Sequence, residues 1–239
     1  MDNVIESVKP FGKFQKCSIF LVGLSSMLVA MLQYSTVFTL AEPNLACHSK
    51  NQNQTILDTC QIWSNLTIEN TNESFIECNF DTTYYGQTMV NEWGLICEKK
   101  FLVSLIQTLY LIGTVSSLVL GPISDIYGRK FLSVGLLFAL FITLMTIEIT
   151  QLKFLNLSFN IRYVIYCIAQ FLIGIFANSI YSILCILLLE LTTTKYSTIV
   201  NNINLYMFVF GEVVILVLAF FSRNWHTINW VNHLKLMQR

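Results

Sequence analysis

The chain has 239 residues, of which 54% are apolar and 12% are charged, and its formal net charge is zero. Ordinary soluble domains carry roughly 25% charged residues, so this composition excludes a typical soluble domain and favours a protein of the lipid bilayer. The zero net charge gives no support to a nucleic-acid partner. We therefore expect the bilayer, and no nucleic acid, to be the environment of the chain.

Five apolar runs predict transmembrane helices, because lipid offers no partner to a backbone amide that is not hydrogen-bonded within its own helix. They are residues 17–40, 101–121, 131–149, 163–189 and 198–222. The first run is too long for a typical cleaved signal peptide and lacks a clear small-x-small cleavage site, so we favour a retained span. A sixth run begins near Ile228 but is soon interrupted by Lys235 and Arg239.

The remaining residues predict the segments that connect these spans: 1–16, 41–100, 122–130, 150–162, 190–197 and 223–239. Lys and Arg are favoured in short loops on the cytoplasmic side. If the N-terminus is cytoplasmic, the inner segments hold Lys9, Lys13, Lys16, Arg129, Lys130 and Lys195, and the short outer segments hold Lys153, Arg162 and Arg223. We therefore predict an all-α, multi-pass membrane protein with a cytoplasmic N-terminus, in the plasma membrane.

The segment 41–100 then lies outside the cell. It contains an even number of cysteines, which suits an oxidising compartment: Cys47, Cys60, Cys78 and Cys97. It also contains three sequons for N-glycosylation, at Asn53, Asn65 and Asn72. Four cysteines allow three pairings, and the residues alone do not choose among them.

A charged side chain within a span is costly, so it is expected to face the bundle interior or water. Glu212, in the fifth span, is the clearest case. Its carboxylate could attract a cationic substrate or take part in coupling. Alternatively, it pairs with a polar neighbour such as Asn201, Asn202 or Asn204, or with a group on a facing helix.

Further candidates for a substrate pathway are aromatic and polar side chains of the spans. Aromatic rings can bind a cation through their faces, although in spans they more often serve packing. Gln107 is expected to face inward, because hydrocarbon leaves its amide without partners. The aromatic candidates are Tyr34, Phe38, Tyr110 and Tyr206.

The stretch "GPISDIYGRK", residues 121–130, places an acid and two bases between the second and third spans. Asp125 precedes Arg129 by four residues, so the two can pair if the segment is helical. Gly121 and Gly128 permit close helix approach and unusual backbone angles. A plain turn with cytoplasmic bases would explain Arg129 and Lys130 but would not require Asp125.

No enzyme chemistry is visible in the sequence. It contains no nucleophile motif and no cofactor-binding loop, and no Cys or His cluster has metal-ligand spacing. We expect no cofactor and no metal.

The pattern G-x-x-x-D-x-x-G-R-K between spans two and three resembles the signature loop of the major facilitator superfamily. Nearby, Glu92-Trp93-Gly94-Leu95-Ile96-Cys97 is similar to the stretch that precedes span two in the organic cation, anion and zwitterion transporters, solute carrier family 22. "LLLELTTTKY" and "FFSRNWHTINW" resemble that family's turns after spans four and five. The resemblance covers nearly the whole chain, up to about Trp230.

This resemblance implies the N-terminal half of a major facilitator fold, which moves small organic ions by alternating access. Glu212 favours a cation as the substrate. The resemblance assigns a conformational role to the signature loop and to a facing acid: Gly121, Asp125, Gly128, Arg129, Lys130 and Glu190. It places Glu190 in a charge network with Arg129 and Lys195, and it implies the disulfides Cys60–Cys97 and Cys47–Cys78.

The sequence also departs from the family. The family's full chain has about twelve spans in two halves, whereas five and a fragment are predicted here. We therefore expect a truncated form that is not competent for transport alone. The alternatives are a half-transporter that binds a full-length transporter, and an inactive product. Gln170 stands where relatives usually carry Arg, and Lys195-Tyr196-Ser197 replaces Lys-Tyr-Arg.

Overall fold

A computed structural model describes residues 12–42, 44–49, 52–55, 76–81, 86–151, 158–192 and 194–222. Five of the described helices are long and apolar enough to cross a membrane, which agrees with the predicted all-α membrane class. We number the helices α1 to α7 in chain order: α1 Lys13–Thr39, α2 Met89–Glu92, α3 Lys100–Ser116, α4 Leu120–Tyr127, α5 Arg129–Gln151, α6 Phe159–Glu190 and α7 Thr194–Ser222. The predicted start of a sixth span lies outside the described residues.

The second crossing is built from several helical pieces. A 3₁₀ turn, Cys97–Lys99, leads into α3, and a second one, Ser117–Val119, joins α3 to α4. α4 continues to Tyr127, so most of the predicted connecting segment 122–130 is helical. The break is confined to Gly128, whose φ of +92° lies in a region that favours glycine. α5 then begins at Arg129.

Helix α6 is the centre of the bundle. It packs against α3, α5 and α1, and α7 packs mainly against α1. The side chains along one face of α6 are almost completely buried, including Ile180, Ile183 and Leu188. Arg129 and Glu190 lie at one end of the bundle, which we call the Arg129 end, and Trp93 lies at the opposite end, the Trp93 end.

The helices approach most closely where α3 crosses α6. A Cβ atom on Gly113 would collide with the backbone carbonyl of Phe171, and one on Gly174 would collide with that of Tyr110. Contacts between small residues are the usual means by which membrane helices associate, because lipid tails remove the hydrophobic drive between them. The two glycines therefore set the distance between α3 and α6.

The stretch that precedes the second span is held to the end of α6 by aromatic contacts. Thr88 caps α2 by accepting a hydrogen bond from the Asn91 amide at 3.3 Å. The Trp93 ring packs edge-on against Tyr166 and Phe159, with centroids 5.7 and 5.9 Å apart. These contacts fix the segment to the Trp93 end of the bundle.

The sequence analysis did not predict the small sheet that follows α1. Three strands, β1 Asn44–Ser49, β2 Gln52–Thr55 and β3 Ile76–Asp81, form an antiparallel sheet with β1 in the centre. β3, Ile-Glu-Cys-Asn-Phe-Asp, does alternate apolar and polar residues as a strand would, but β1 and β2 do not. In the register of β1 and β3, Cys47 lies opposite Cys78.

Candidate functional site

Glu212 lies in the middle of α7 and is half-buried. Among the described residues, it is the only acidic or basic side chain that lies well away from both ends of its helix. The neighbouring Gly211 packs against the backbone of α1, and the Tyr34 ring of α1 meets Phe208, one turn before Glu212. Glu212 therefore lies beside the contact between α1 and α7.

A row of aromatic rings leads from Tyr34 to α6. The Tyr34 ring meets Phe208 edge-on, with centroids 6.5 Å apart, and Phe208 packs against Tyr181 at 5.1 Å. Phe208 precedes Glu212 by four residues, so the two share a face of α7. Tyr110, on α3, is instead partly buried against the main apolar core. We call Glu212, Tyr34, Phe208 and Tyr181 the acid–aromatic cluster.

A close contact between α1 and α7 lies next to the cluster. The Gly211 backbone lies against the carbonyl oxygen of Met27, and a Cβ there would collide with it. Met31 and Ile215 pack together in the same interface and are 1% and 0% exposed. The turn that carries Glu212 is therefore held firmly on its α1 side.

A second polar contact joins three helices closer to the Arg129 end. Ser26 donates a hydrogen bond to Asn204 Oδ1 at 2.8 Å, and Asn204 Nδ2 donates to Cys185 Sγ at 3.1 Å. Both Ser26 and Asn204 are buried. The described hydrogen bonds of Asn204 therefore go to α1 and α6, and not to Glu212.

The other pathway candidates lie apart from the cluster. Phe38 packs against the buried pair Met31 and Ile215. Gln107 is exposed on α3, and Tyr206 is 75% exposed on α7. No contact in the described part of the chain joins either of them to Glu212.

Phe208 and Tyr181 are members of the cluster that the sequence analysis did not select. The spacing of Phe208 and Glu212, one helical turn apart, is a signal that would have found the first. Tyr181 carries no such signal, because its place depends on how α6 packs against α7.

A charge network lies at the Arg129 end. Arg129 donates two hydrogen bonds to Asp125 Oδ1, from Nη2 at 2.7 Å and from Nε at 3.0 Å. Arg129 Nη1 lies 2.9 Å from Glu190 Oε1, an ion pair without hydrogen-bond geometry. Arg129 is 20% exposed, whereas the two carboxylates are more than half exposed. One guanidinium thus links α4, α5 and α6.

The network lines an open groove of about 880 Å³. Gly128, Lys130 and Leu187 also line it, whereas Gly121 is not in contact with it and has open space beside its Cα. The side chain of Lys195, the third predicted partner, lies outside the described residues. At the same end, Gln15 Nε2 donates a hydrogen bond of 3.2 Å to the carbonyl of Leu191, which ties α1 to the end of α6.

Gln170 is buried inside the bundle, at 4% exposure. The Oε1 atom of Gln170 has no hydrogen-bond partner in the described part of the chain. The position at which the family resemblance led us to expect an arginine thus lies on the buried face of α6.

The predicted disulfides and glycosylation sites fall mostly beyond what the structure describes. Cys97 is disulfide-bonded, and Cys47 lies opposite Cys78 between paired strands. Cys60, Asn65, Asn72 and the side chain of Asn53 lie outside the described residues. Within the described ranges, no group of three His, Cys, Asp or Glu residues is placed to hold a metal ion.

These observations define a class of protein: a multi-pass α-helical membrane protein with one acid in mid-span and an ionic network at the helix ends. Comparison with known proteins gives the family. An organic cation transporter-like protein of Drosophila melanogaster is 24% identical over 250 residues, which cover 94% of this chain and 42% of that relative. This chain is a homologue of the transporters of solute carrier family 22, as the sequence predicted.

Two further relatives support that assignment. The steroid transmembrane transporter SLC22A24 of Homo sapiens is 30% identical over 177 residues, and solute carrier family 22 member 6-A of Xenopus laevis is 26% identical over 171. They match 69% and 71% of this chain, and 29% of each relative's length. The chain thus spans less than half the length of these relatives. No protein-family model matches the chain. The relatives named here are transporters, not enzymes.

Proposed function

We propose that the chain takes part in moving small organic ions across a membrane by alternating access, and that its preferred substrates are cations. The family relationship supports transport, because one relative is named an organic cation transporter-like protein and another a steroid transmembrane transporter. The sign of the substrate charge rests on one observation, the position of Glu212 in the middle of α7.

Glu212 favours a cation because of its sign and its surroundings. The described helices contain no Lys or Arg near their middle that would neutralise it. The attraction between opposite charges grows as the surrounding dielectric constant falls, and it is several times stronger near a protein surface than in bulk water. An acid in a bilayer span is therefore a strong local attraction for a positively charged ligand.

The rings beside Glu212 add a second kind of attraction. Tyr34, Phe208 and Tyr181 form a continuous aromatic surface between α1, α7 and α6. A cation over an aromatic face gains about 0.5–2 kcal/mol, depending on its desolvation. We propose that the organic part of the substrate packs on these rings while its charge faces Glu212.

The Arg129 network provides contacts that can change during alternating access. Its carboxylates are more than half exposed, and such ion pairs contribute about 1 kcal/mol or less. Contacts of this strength break and form readily. We propose that the network joins α4, α5 and α6 in one arrangement of the transporter and releases them in another.

For the orientation, we propose a cytoplasmic N-terminus in the plasma membrane. The bases of the inner segments support it, as do the disulfide at Cys97 and the sequons of the segment 41–100. The pairing of Cys47 with Cys78 is supported by their opposite positions on β1 and β3. The pairing of Cys60 with Cys97 rests on the family resemblance.

A matched pair of aromatic ions tests the proposed charge preference. Phenyltrimethylammonium and benzoate each carry one phenyl ring and one charge, of opposite sign. We expect the chain in lipid nanodiscs to bind the radiolabelled cation saturably and the anion at least tenfold more weakly, because Glu212 attracts one and repels the other. Equal binding of benzoate, or cation binding that does not saturate, would refute the proposal.

A further inference from the structure

The second span is interrupted where α3 meets α4. Residues Ser117–Val119 form a 3₁₀ turn, which is wound more tightly than the α-helices on either side of it. Pro122 follows in the first turn of α4 and has no backbone N–H, so it cannot bond to the carbonyl of Leu118 as an α-helix requires. A 3₁₀ stretch within a helix often marks a hinge, and a proline is a common cause of a bend. The second span is therefore most easily bent between Ser117 and Pro122.

The two sides of this turn differ in how firmly they are packed. On the α3 side, Gly113 and Gly174 bring the backbones of α3 and α6 into contact. On the α4 side, Ser124 is the only buried residue of the eight in the helix. α4 also ends at a second break, the positive φ of Gly128. It is therefore a short piece with a break at each end, and it can move while α3 stays in place.

Asn178, on α6, ties the 3₁₀ turn to the central helix of the bundle. Its Nδ2 atom donates hydrogen bonds to Ser117 Oγ at 2.6 Å and to the carbonyl of Thr114 at 3.4 Å. Ser117 is 6% exposed, and its hydroxyl group donates to the same carbonyl at 2.6 Å. Hydrogen bonds between side chains and neighbouring helices help to hold membrane bundles together. The position of the turn thus depends on one amide side chain.

We propose that Ser117–Val119 is a hinge in the second span and that the Asn178 amide is the latch that holds it in the described arrangement. When the latch opens, α4 turns relative to α3 and carries Asp125 away from Arg129, which lies beyond the second break at Gly128. The use of this movement in alternating access rests on the proposed function, whereas the hinge and its latch do not.

The distance between two spin labels reports the position of α4 in the full chain, in lipid nanodiscs and without substrate. One label is attached to Cys17, an exposed thiol near the start of α1. The other is attached through Tyr127→Cys, at the end of α4, where the side chain is 71% exposed. Cys185→Ser removes a partly exposed thiol that would also react. Double electron–electron resonance then measures the distribution of the distance.

Asn178→Leu keeps the approximate size of the side chain and removes its donor. We expect it to raise the fraction of molecules with an altered distance about two- to tenfold, because the loss of one hydrogen bond changes an equilibrium constant by roughly that factor. Ser117→Ala removes the acceptor and should act in the same direction. The effects of the two variants should not add, since both break one contact.

The matched control is Asn202→Leu, the same chemical change at an exposed position of α7. It is expected to leave the distance distribution unchanged.

A second pair of labels separates a hinge from a general loosening of the bundle. Here Phe101→Cys, at the exposed start of α3, takes the place of Tyr127→Cys. Its distance to Cys17 should not respond to Asn178→Leu, because Gly113 holds α3 at its crossing with α6.

Two results would overturn the proposal. The first is a Tyr127→Cys pair whose distances respond to neither Asn178→Leu nor Ser117→Ala. The second is an equal response of both label pairs, which would show that the whole bundle loosens. The proposed function is tested separately, by cation binding, so a failure of the hinge is distinguishable from a failure of the substrate site.

Discussion

Single glycines determine how closely the central helices pack. Gly113 and Gly174 each lie against a backbone carbonyl of the opposite helix, so neither position has room for a side chain. The sequence analysis selected Gly121 and Gly128 and passed over these two. Their role depends on which faces of α3 and α6 meet, and one sequence does not reveal that.

The substitution Gly174→Ala is expected to destabilise the protein by about 1–3 kcal/mol, because α3 and α6 must move apart to admit the new methyl group. Thermal unfolding in detergent micelles, followed by circular dichroism, measures the change. Gly135→Ala is the matched control, since Gly135 lies within α5 with nothing near its missing Cβ.

The control variant should be unchanged or slightly more stable, because alanine is the better helix former by about 1 kcal/mol. If Gly174→Ala and Gly135→Ala shift the unfolding temperature equally, the close crossing of α3 and α6 does not contribute to stability.

The sequence predicted the orientation of Glu212 but not its neighbours in the folded chain. The cost of a charge in lipid predicts that it faces the bundle interior, and its half-burial beside α1 agrees. Its neighbours on α1 were not predictable, because that helix is far away in the chain. Several polar groups on the same helix, such as Asn204, were equally reasonable partners until the packing showed that Asn204 bonds to Ser26.

At the scale of elements, the helices are longer than their apolar runs. α4 extends the second crossing through Asp125 to Tyr127, and α6 begins at Phe159 rather than near residue 163. Apolar length reports the thickness of the hydrocarbon, whereas a helix continues into the polar interface as long as its backbone bonds are made. Sequence runs therefore underestimate helix lengths in this protein.

The Asp125–Arg129 pair was predicted as a contact along one helix, and it forms across a break in the backbone at Gly128. Arg129 gains its second acid from the end of α6, which spacing along the chain cannot show. The conformational role of these residues stays a prediction.

The orientation of the elements is testable through Cys17, an exposed thiol one residue after Lys16, near the start of α1. We expect a membrane-impermeant maleimide to label Cys17 only after the cells are permeabilised, because the bases of the N-terminus should hold that end in the cytoplasm. Mass spectrometry of the labelled peptide measures this.

Cys17→Ser, which should lose the signal, is the control for labelling at other cysteines. Cys167 is buried at 7% exposure and should stay unlabelled throughout. Labelling of Cys17 in intact cells would reverse the proposed orientation of every span.

At the scale of the whole molecule, composition and apolar length were sufficient to predict five helical spans. Composition and apolar length could not predict how the spans pack against one another. Membrane helices are apolar on the faces that meet lipid as well as on those that meet each other, so their sequences do not mark which face is buried. The central place of α6 and the pairing of α1 with α7 come from the structure alone.

The sheet after α1 was not predicted for a related reason. Its strands are short, and only β3 alternates apolar and polar residues. Their stability depends largely on pairing between separate segments. The motif that precedes the second span contributed to the family prediction, which the comparisons support. Its physical basis, the packing of Trp93 on Tyr166 and Phe159, appears only in the folded chain.

The central claim is that Glu212 is the acceptor for an organic cation. The most direct measurement compares equilibrium binding of phenyltrimethylammonium to Glu212→Gln and to Glu148→Gln, both in lipid nanodiscs. Glu148 is also half-buried, but it lies near the end of α5. We expect at least a tenfold loss of affinity for Glu212→Gln and less than about a twofold change for the control. Equal affinities for the two variants would contradict it.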